Sequence, residues 1–209
     1  MLCSAAGLIE RKGGRLRLPH LVKELCPCPV PAEAAALLRV ANPRYPTGHR
    51  DRCLMQLMLN VGLRAAEVLA LTVYDVDWLS GQRTVRQGKG QKDRILWLNE
   101  PVLDDLRRWR ARRPATARGL LFTTLQGTPI HRSALRAMVK RRGDKAGLQQ
   151  KDVHPHMLRH TFATELYRQT KDIRLVQKAL GHSDLSTTMI YTHIVDEDME
   201  AALKSFHLG

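Results

Sequence analysis

Apolar residues recur at helical spacing along most of the chain from Pro31 onward. The segments PAEAAALLRVAN (31–42), GHRDRCLMQLMLNVG (48–62) and LRAAEVLAL (63–71) predict three consecutive helices, and Gly62 ends the second of them. Helical spacing returns later in the chain and predicts five further helices, at about 100–113, about 131–146, 156–169, 172–180 and 184–193. The sequence therefore predicts a mainly helical protein.

Three shorter segments show the alternation of β-branched and apolar residues that is typical of strands. They are LTVYDVDW (71–78), QRTVRQG (82–88) and DRILWLN (93–99), and the last two are joined across the turn GKGQ at 88–91. The segment GLLFTTLQGTPI (119–130) is predicted to be irregular or a hairpin. The predicted fold class is thus mainly α with one small antiparallel β-sheet, an α+β arrangement.

The two ends of the chain differ from its middle. Residues 1–30 combine glycine pairs, prolines and basic residues without helical periodicity, which indicates an extended basic linker or the remnant of an interdomain connection. Near the C-terminus, one apolar stripe on a short helix is formed by Met199, Ala202, Leu203 and Phe206. This stripe could pack on its own domain or dock on a neighbouring copy. We therefore expect one main domain, the candidate catalytic domain, at 31–194. It would lie between the linker at 1–30 and a tail helix at 195–209.

The composition is that of a globular protein with a strong basic excess. Hydrophobic residues make up 44% and charged residues 26% of the 209 positions, which is enough for one hydrophobic core. Thirty-four Lys and Arg residues against twenty Asp and Glu residues give a formal charge of +14. A polyanionic partner is the natural inference, with nucleic acid favoured over a membrane surface, while charge that only maintains solubility is the alternative.

The sequence carries no sign of a membrane span or of a secretory signal. No apolar run approaches the roughly 20 residues that a membrane-spanning helix needs, and the first residues lack the long apolar core of a signal peptide. We expect a cytoplasmic protein without membrane contact.

The segment HPHMLRHTFATELYRQ (154–169) gathers three histidines and an arginine in seven positions. It could be a metal site, a basic face without chemistry, or a catalytic face that handles phosphate. No inward-facing carboxylate is expected near the imidazoles, and Pro155 places His154 before the helix, so a metal site is disfavoured. His156 and Arg159 are three residues apart and project from the same side of the helix. An imidazole beside a guanidinium can bind a phosphate and move a proton on it.

Three other residues are weak candidates when each is taken alone. Arg64 begins a helix, where free N–H groups favour an anion, but it could equally be a surface cation. Lys89 occupies an exposed turn between two strands, from which a long amine can reach into a groove. Tyr191 has threonines and a histidine as its sequence neighbours. Such polar neighbours are consistent with a hydroxyl that faces a functional site.

Together, these segments resemble the tyrosine recombinase family, which includes phage integrases and Xer-type enzymes. GLRAAE is similar to the family's first arginine box, GKGQKDR to its β-hairpin lysine motif, HPHMLRHTFAT to its H-x-x-R box, and LGHSDLSTTMIYTH to its closing His and Tyr box. The four boxes occur in the family's order, and the resemblance covers about residues 30–200. It implies the tyrosine recombinase catalytic-domain fold and a catalytic set of Arg64, Lys89, His156, Arg159, His182 and Tyr191.

The resemblance also implies a role for each of these residues at a scissile DNA phosphate. Tyr191 would attack phosphorus and form a 3′-phosphotyrosyl link, while the two arginines hold the non-bridging oxygens. Lys89 would protonate the leaving 5′-oxygen, and His156 would accept the phenolic proton. His182 would hydrogen-bond a phosphate oxygen.

The implied supporting residues are Glu67, which would orient the neighbouring basic groups, and His160, which would buttress the site. Because cations already surround the phosphate, no metal ion, other cofactor or ATP is expected. The implied partners are double-stranded DNA, with a nucleoid-associated location, and further copies of the chain in a tetrameric synapse held by the tail. Most relatives have an additional N-terminal helical domain, and residues 1–30 resemble the linker that would join it to the catalytic domain. We therefore expect either a fragment or degenerate copy, or a natural single-domain member. Two alternative functions stay open, a catalytically idle DNA-binding remnant and, from the same chemistry, a type IB topoisomerase-like nicking and resealing activity.

Overall fold

The computed structural model describes residues 29–85, 94–117 and 119–181. The described part of the chain contains seven α-helices and two strands. They are α1 (Pro31–Arg39), α2 (Pro46–Asn60), α3 (Ala65–Leu69), β1 (Gln82–Val85), β2 (Arg94–Trp97), α4 (Glu100–Arg112), α5 (Arg132–Lys145), α6 (Pro155–Thr170) and α7 (Ile173–Leu180). Residues 1–28 of the linker predicted at 1–30 lie outside the described residues, as do the predicted helix at 184–193 and the predicted tail helix.

The sheet is a two-stranded antiparallel hairpin. Its register places Gln82 opposite Trp97 and Val85 opposite Arg94. The prediction of a mainly α fold with one small antiparallel sheet is therefore confirmed. The segment 119–130 also has the predicted hairpin character, because Thr123 and Pro129 form an isolated antiparallel bridge.

The predicted strand at 71–78 is wrong, because this segment forms turns and only isolated bridges to other segments. The carboxylate of Asp75 accepts hydrogen bonds from the backbone N–H of Thr72 (2.8 Å) and from its hydroxyl (2.6 Å). The indole of Trp78 donates to the carbonyl of Val73 (2.9 Å). These local bonds occupy groups that a strand ladder would need, so alternation of side chains did not suffice to make a strand.

Helix α2 is the centre of the hydrophobic core. It packs against α1, α4, α5 and α6, and the side chains of Cys53, Met55, Leu57 and Met58 are fully buried. Burial on all sides of residues 53–59 explains why this half of the helix, apart from Gln56, is apolar around its whole circumference rather than along one stripe. The C-terminal end of α2 is therefore held firmly, and the chain leaves it directly into the segment that carries Arg64.

No helix within the described ranges is both long enough and apolar enough to cross a membrane.

Candidate active site

A tight turn at Gly62 joins α2 to α3 and brings α6 close to both. Gly62 has a φ of +68°, in the left-handed region that favours glycine. A Cβ atom at this position would lie 2.3 Å from Cδ1 of Phe162 on α6, so the turn also needs the absence of a side chain. The carbonyl of Gly62 accepts a hydrogen bond from Nη1 of Arg159. The turn thus supplies a binding partner for an arginine far away in the sequence.

Helix α3 places Arg64 and Glu67 side by side. Arg64 is the N-cap residue, and its backbone N–H donates to Oε2 of Glu67 (2.8 Å). Its Nη1 donates to Oε1 of the same carboxylate (2.9 Å). The backbone N–H that we expected to favour an external anion is therefore satisfied by Glu67. The group at this position that is accessible from outside is instead the guanidinium, whose side chain is 35% exposed.

The carboxylate of Glu67 is shared by three arginines, and we call Glu67, Arg64, Arg94 and Arg159 the Glu67 cluster. Arg94 donates to Oε1 (3.1 Å) and to Oε2 (2.9 Å), and Nη1 of Arg159 lies 3.9 Å from Oε2. Burial alone would raise the pKa of Glu67, but the hydrogen bonds from Arg94 and Arg64 outweigh it and lower the pKa to about 2. Glu67 is therefore ionised at any physiological pH.

Besides the Glu67 carboxylate, the C-terminal end of α7 also accepts hydrogen bonds from the same three arginines. The last carbonyls of a helix have no partner within the helix and carry the negative end of its dipole. Here three successive carbonyls each accept a hydrogen bond from a different arginine. The contacts are Arg94 Nε to Ala179 (3.0 Å), Arg159 Nη2 to Leu180 (2.7 Å) and Arg64 Nη2 to Gly181 (3.3 Å). Helices α3, α6 and α7 and strand β2 thus meet at one basic site.

The histidines of α6 lie on its first two turns. His154 is the N-cap residue, as predicted from Pro155, and its Nδ1 accepts a hydrogen bond from the backbone of Met157 (3.3 Å). His156 is exposed, and its ring stacks on that of His160 with 4.2 Å between centroids and 9° between planes. Among the residues that the structure describes, no group of three or more His, Cys, Asp or Glu side chains is arranged to hold a metal ion.

The predicted site residues therefore divide into three groups. Arg64, Glu67 and Arg159 come together in one cluster although they are distant in sequence. His156 and His160 form a stacked pair on the helix that carries Arg159. The remaining three predicted residues lie outside the described part of the chain, namely Lys89, His182 and Tyr191.

Sequence reasoning missed two buried arginines on the hairpin. Arg94 belongs to the Glu67 cluster, and Arg83 is 3% exposed with Nε and Nη1 lacking a hydrogen-bond partner. Burial lowers the pKa of Arg83 to about 10, against the opposing charges of Glu67 and Asp75. The signal that could have identified both arginines is the strand register. Arg83 is opposite Leu96 and Arg94 is opposite Val85, so all four side chains lie on the inner face of the hairpin.

Replacing Gly62 by alanine should lower the free energy of unfolding by about 2 to 4 kcal/mol, because the new side chain adds a clash with Phe162 to the strain of a positive φ. Urea titration measures the loss. Gly147→Ala is the matched control, because Gly147 also has a positive φ, +81°, but nothing lies within 4 Å of a Cβ there. Equal losses in the two variants would contradict the close approach of α6 to this turn.

Comparisons with known proteins agree on one family. Residues 31–198 match the model of the phage integrase family. The tyrosine recombinases XerD of Staphylococcus saprophyticus and of Staphylococcus aureus strain Mu50 are each 37% identical over 180 residues, which is 84% of this chain and 60% of each relative. The chain thus spans about 60% of the length of these curated relatives.

Solved structures of similar proteins show the same fold. The crystal structure of XerA recombinase matches with a TM-score of 0.74 and 33% identity, over 85% of this chain and 65% of that one. The post-cleavage complex of the site-specific recombinase XerH with a palindromic difH substrate matches with a TM-score of 0.71 and 32% identity, over 84% of this chain and 52% of that one.

Proposed function

This chain belongs to the phage integrase family, and we propose that it is a site-specific tyrosine recombinase that cleaves and rejoins double-stranded DNA. The observation that carries the proposal is the Glu67 cluster, in which Arg64 from α3 donates to the ionised carboxylate and Arg159 from α6, held by the carbonyls of Gly62 and Leu180, lies 3.9 Å from it. Guanidinium groups fixed in this way suit a phosphate with two non-bridging oxygens. The relatives named tyrosine recombinases support the same reaction.

The charge balance of the cluster favours an anionic ligand. Three arginines surround Glu67, so the cluster carries two more positive charges than negative ones. Arg64 and Arg159 bind the non-bridging oxygens of the scissile phosphate and stabilise the additional negative charge of the pentavalent transition state. Because these fixed cations already neutralise the phosphate, the proposed reaction requires neither Mg²⁺ nor ATP.

The strand transfer itself uses a phenolic nucleophile. The oxygen of Tyr191 attacks phosphorus, a 3′-phosphotyrosyl bond forms, and the bond to the 5′-oxygen breaks. His156 accepts the phenolic proton and Lys89 donates a proton to the departing 5′-oxygen, so that a free 5′-hydroxyl is released. His182 hydrogen-bonds a phosphate oxygen. A 5′-hydroxyl from another strand then reverses these steps and reseals the DNA, because the energy of the broken ester is retained in the phosphotyrosyl bond.

His160 supports this proton transfer by fixing the ring of His156. The two rings are nearly parallel at 4.2 Å, so His160 restricts rotation of a side chain that is otherwise exposed. In this proposal His160 does not touch the phosphate. Its part is to hold an imidazole in one orientation on the first turn of α6.

Helix α5 provides a surface for the DNA backbone next to the active site. It packs against α3 and α6, the helices that carry Arg64 and Arg159. Its exposed cations are Arg132, Arg136, Lys140, Arg141 and Lys145. Such side chains neutralise phosphates and give affinity that depends strongly on salt.

Replacing Arg136 by glutamine should weaken DNA binding and lower the slope of log affinity against log salt by about one, because one phosphate contact is lost. Arg136 is near the site, since burial lowers the pKa of His154, Asp152 raises it, and the charge of Arg136 lowers it. Fluorescence anisotropy at several salt concentrations measures the slope. Arg168→Gln is the control, because Arg168 is also an exposed cation paired with a carboxylate, Glu165 at 2.8 Å as Arg136 is with Asp152 at 3.4 Å, but it lies nine residues beyond Arg159 on α6. An unchanged slope for Arg136→Gln would show that Arg136 does not contact a DNA phosphate.

Recombination of two duplexes needs several copies of the chain. We extend the proposal to a tetrameric synapse on DNA, held by the tail at 195–209, whose apolar stripe docks on an adjacent copy. DNA as substrate also implies a nucleoid-associated location. Both statements rest on the basic charge of +14 and on the family.

A nicked suicide duplex tests the proposed function. Cleavage next to the nick releases a short fragment that diffuses away, so the covalent protein–DNA adduct accumulates, and mass spectrometry of its peptides identifies the modified residue. We expect an adduct at Tyr191. Absence of any adduct favours an idle DNA-binding protein. An adduct accompanied by relaxation of supercoiled circles, without exchange between two marked duplexes, favours topoisomerase-like activity.

A further inference from the structure

Arg94, the first residue of β2, connects the strand hairpin to Glu67 and to the C-terminal end of α7, the two places where Arg64 and Arg159 are also held. Its Nη1 and Nη2 donate to the two oxygens of Glu67, and its Nε donates to the carbonyl of Ala179. Resting on the proposed function, we infer that Arg94 is a positioning residue for strand cleavage, which holds Glu67 so that Arg64 and Arg159 stay available to the phosphate.

Arg94 itself is not placed to bind the phosphate. Its side chain is only 6% exposed, against 35% for Arg64. All three of its nitrogens already donate to groups of the protein. Arg159 is similarly enclosed, with 7% of its side chain exposed, but its Nη1 lies 3.9 Å from Glu67, whereas both Nη atoms of Arg94 donate directly to that carboxylate. The effect of Arg94 on the reaction therefore passes through Glu67.

Glu67 would otherwise compete with DNA for Arg159. The carboxylate oxygen Oε2 accepts from Nη2 of Arg94 at 2.9 Å and lies 3.9 Å from Nη1 of Arg159. If Arg94 were removed, this oxygen would lose its closest guanidinium and attract that of Arg159. Arg159 would then be partly neutralised by the protein. Arg94 thus satisfies the carboxylate and leaves the charge of Arg159 for the substrate.

The geometry requires arginine rather than any cation. One planar guanidinium contacts both oxygens of Glu67 with its two Nη atoms while its Nε points to the end of α7. A lysine places a single nitrogen at this position and cannot make all three contacts at once. Arg94→Lys therefore keeps the buried charge and removes the positioning.

The first measurement is single-turnover cleavage of the nicked duplex by Arg94→Lys. We expect cleavage to slow on the order of 100-fold, with DNA affinity within about threefold of wild type, because the reacting groups are misplaced rather than lost. Arg142→Lys is the matched control, since Arg142 also donates to a carboxylate, Asp51, and to a backbone carbonyl, that of Val40, but it does not contact the Glu67 cluster. It should cleave at the wild-type rate. An equal slowing of both variants would show a general loss of structure and overturn the inference.

A substrate with a methylphosphonate at the scissile position separates positioning from packing. The methyl group replaces one charged oxygen, so there is less negative charge for Arg64 and Arg159 to stabilise, and the Arg94→Lys defect should shrink by about tenfold or more. A defect of the same size on both substrates overturns the inference. So does recovery on a 5′-bridging phosphorothiolate, whose leaving sulfur needs no proton, because the defect would then lie in leaving-group protonation.

A neutral variant and the wild type complete the test. Arg94→Gln retains hydrogen-bond donors without the charge, and it should show the same dependence on the methylphosphonate. Wild-type cleavage rates in either folded variant, verified by thermal unfolding, would overturn the positioning role. Failure of the proposed function is a different result, since wild type would then form no adduct on any of the three substrates.

Discussion

Replacing Tyr191 by phenylalanine should reduce the covalent DNA adduct by at least about three orders of magnitude. The change removes one oxygen atom and retains the ring, so the fold and the basic surface are preserved while the nucleophile is lost. Labelled nicked duplex, resolved on a denaturing gel, measures the adduct directly. Binding of intact duplex should be unchanged, because the phosphate contacts come from the cationic side chains.

Two of the three other tyrosines of the chain provide the controls for this experiment. Tyr74 is 85% exposed and Tyr167 is half-buried on α6, the helix of Arg159. Phenylalanine at either position should leave the amount of adduct at the wild-type level. If Tyr191→Phe retained the adduct and one of the controls lost it, the nucleophile would be that other phenol, and the proposed assignment would be wrong.

The helices could be predicted from the sequence because each carries a local signal. Gly62 ends the segment of α2 and Pro155 begins α6, and both boundaries lie where these residues place them. The segment 71–78 shows the limit of such reasoning. Its alternation is typical of a strand, but Asp75 bonds locally to Thr72, and this preference outweighs the pattern.

The candidate site was only partly predictable for a related reason. Arg64, Glu67 and Arg159 stand out because they lie in sequence boxes similar to those of a known family. Arg94 also lies in such a box, as the last residue of GKGQKDR, but no role was predicted for it, since its importance depends on which residue the hairpin faces. That α7 would end with its carbonyls directed at three arginines could not be read from the sequence, because it depends on how helices far apart in the chain pack.

The electrostatics of the cluster explain why one carboxylate suits the proposed phosphate-binding site. Glu67 has a pKa of about 2, below its ordinary value of 4.5. A lowered pKa means that its contribution to stability is complete above pH 4.5 and is lost as the pH falls towards 2. Near neutral pH the carboxylate is constant in charge. Any pH dependence of cleavage in this range must therefore come from groups other than Glu67.

Replacing Arg159 by alanine should lower the rate of strand cleavage by at least about a thousandfold, because one of the two guanidinium groups that stabilise the transition state is removed. Affinity for intact duplex should fall by less than about fivefold, since the exposed cations of α5 supply most phosphate contacts. Single-turnover cleavage and anisotropy titration measure the two effects separately.

The substitution also has a structural cost that the experiment must separate from the chemical one. Arg159 donates to the carbonyls of Gly62 and Leu180, so alanine leaves two buried carbonyls without these donors. Arg142→Ala is the matched control, because it removes an inward-facing arginine from Asp51 and from the carbonyl of Val40. If both variants are destabilised but only Arg159→Ala loses cleavage, the loss is chemical. If Arg159→Ala loses binding and cleavage in equal proportion, this arginine contributes only to DNA affinity, and the phosphate-activating role proposed for the Glu67 cluster fails.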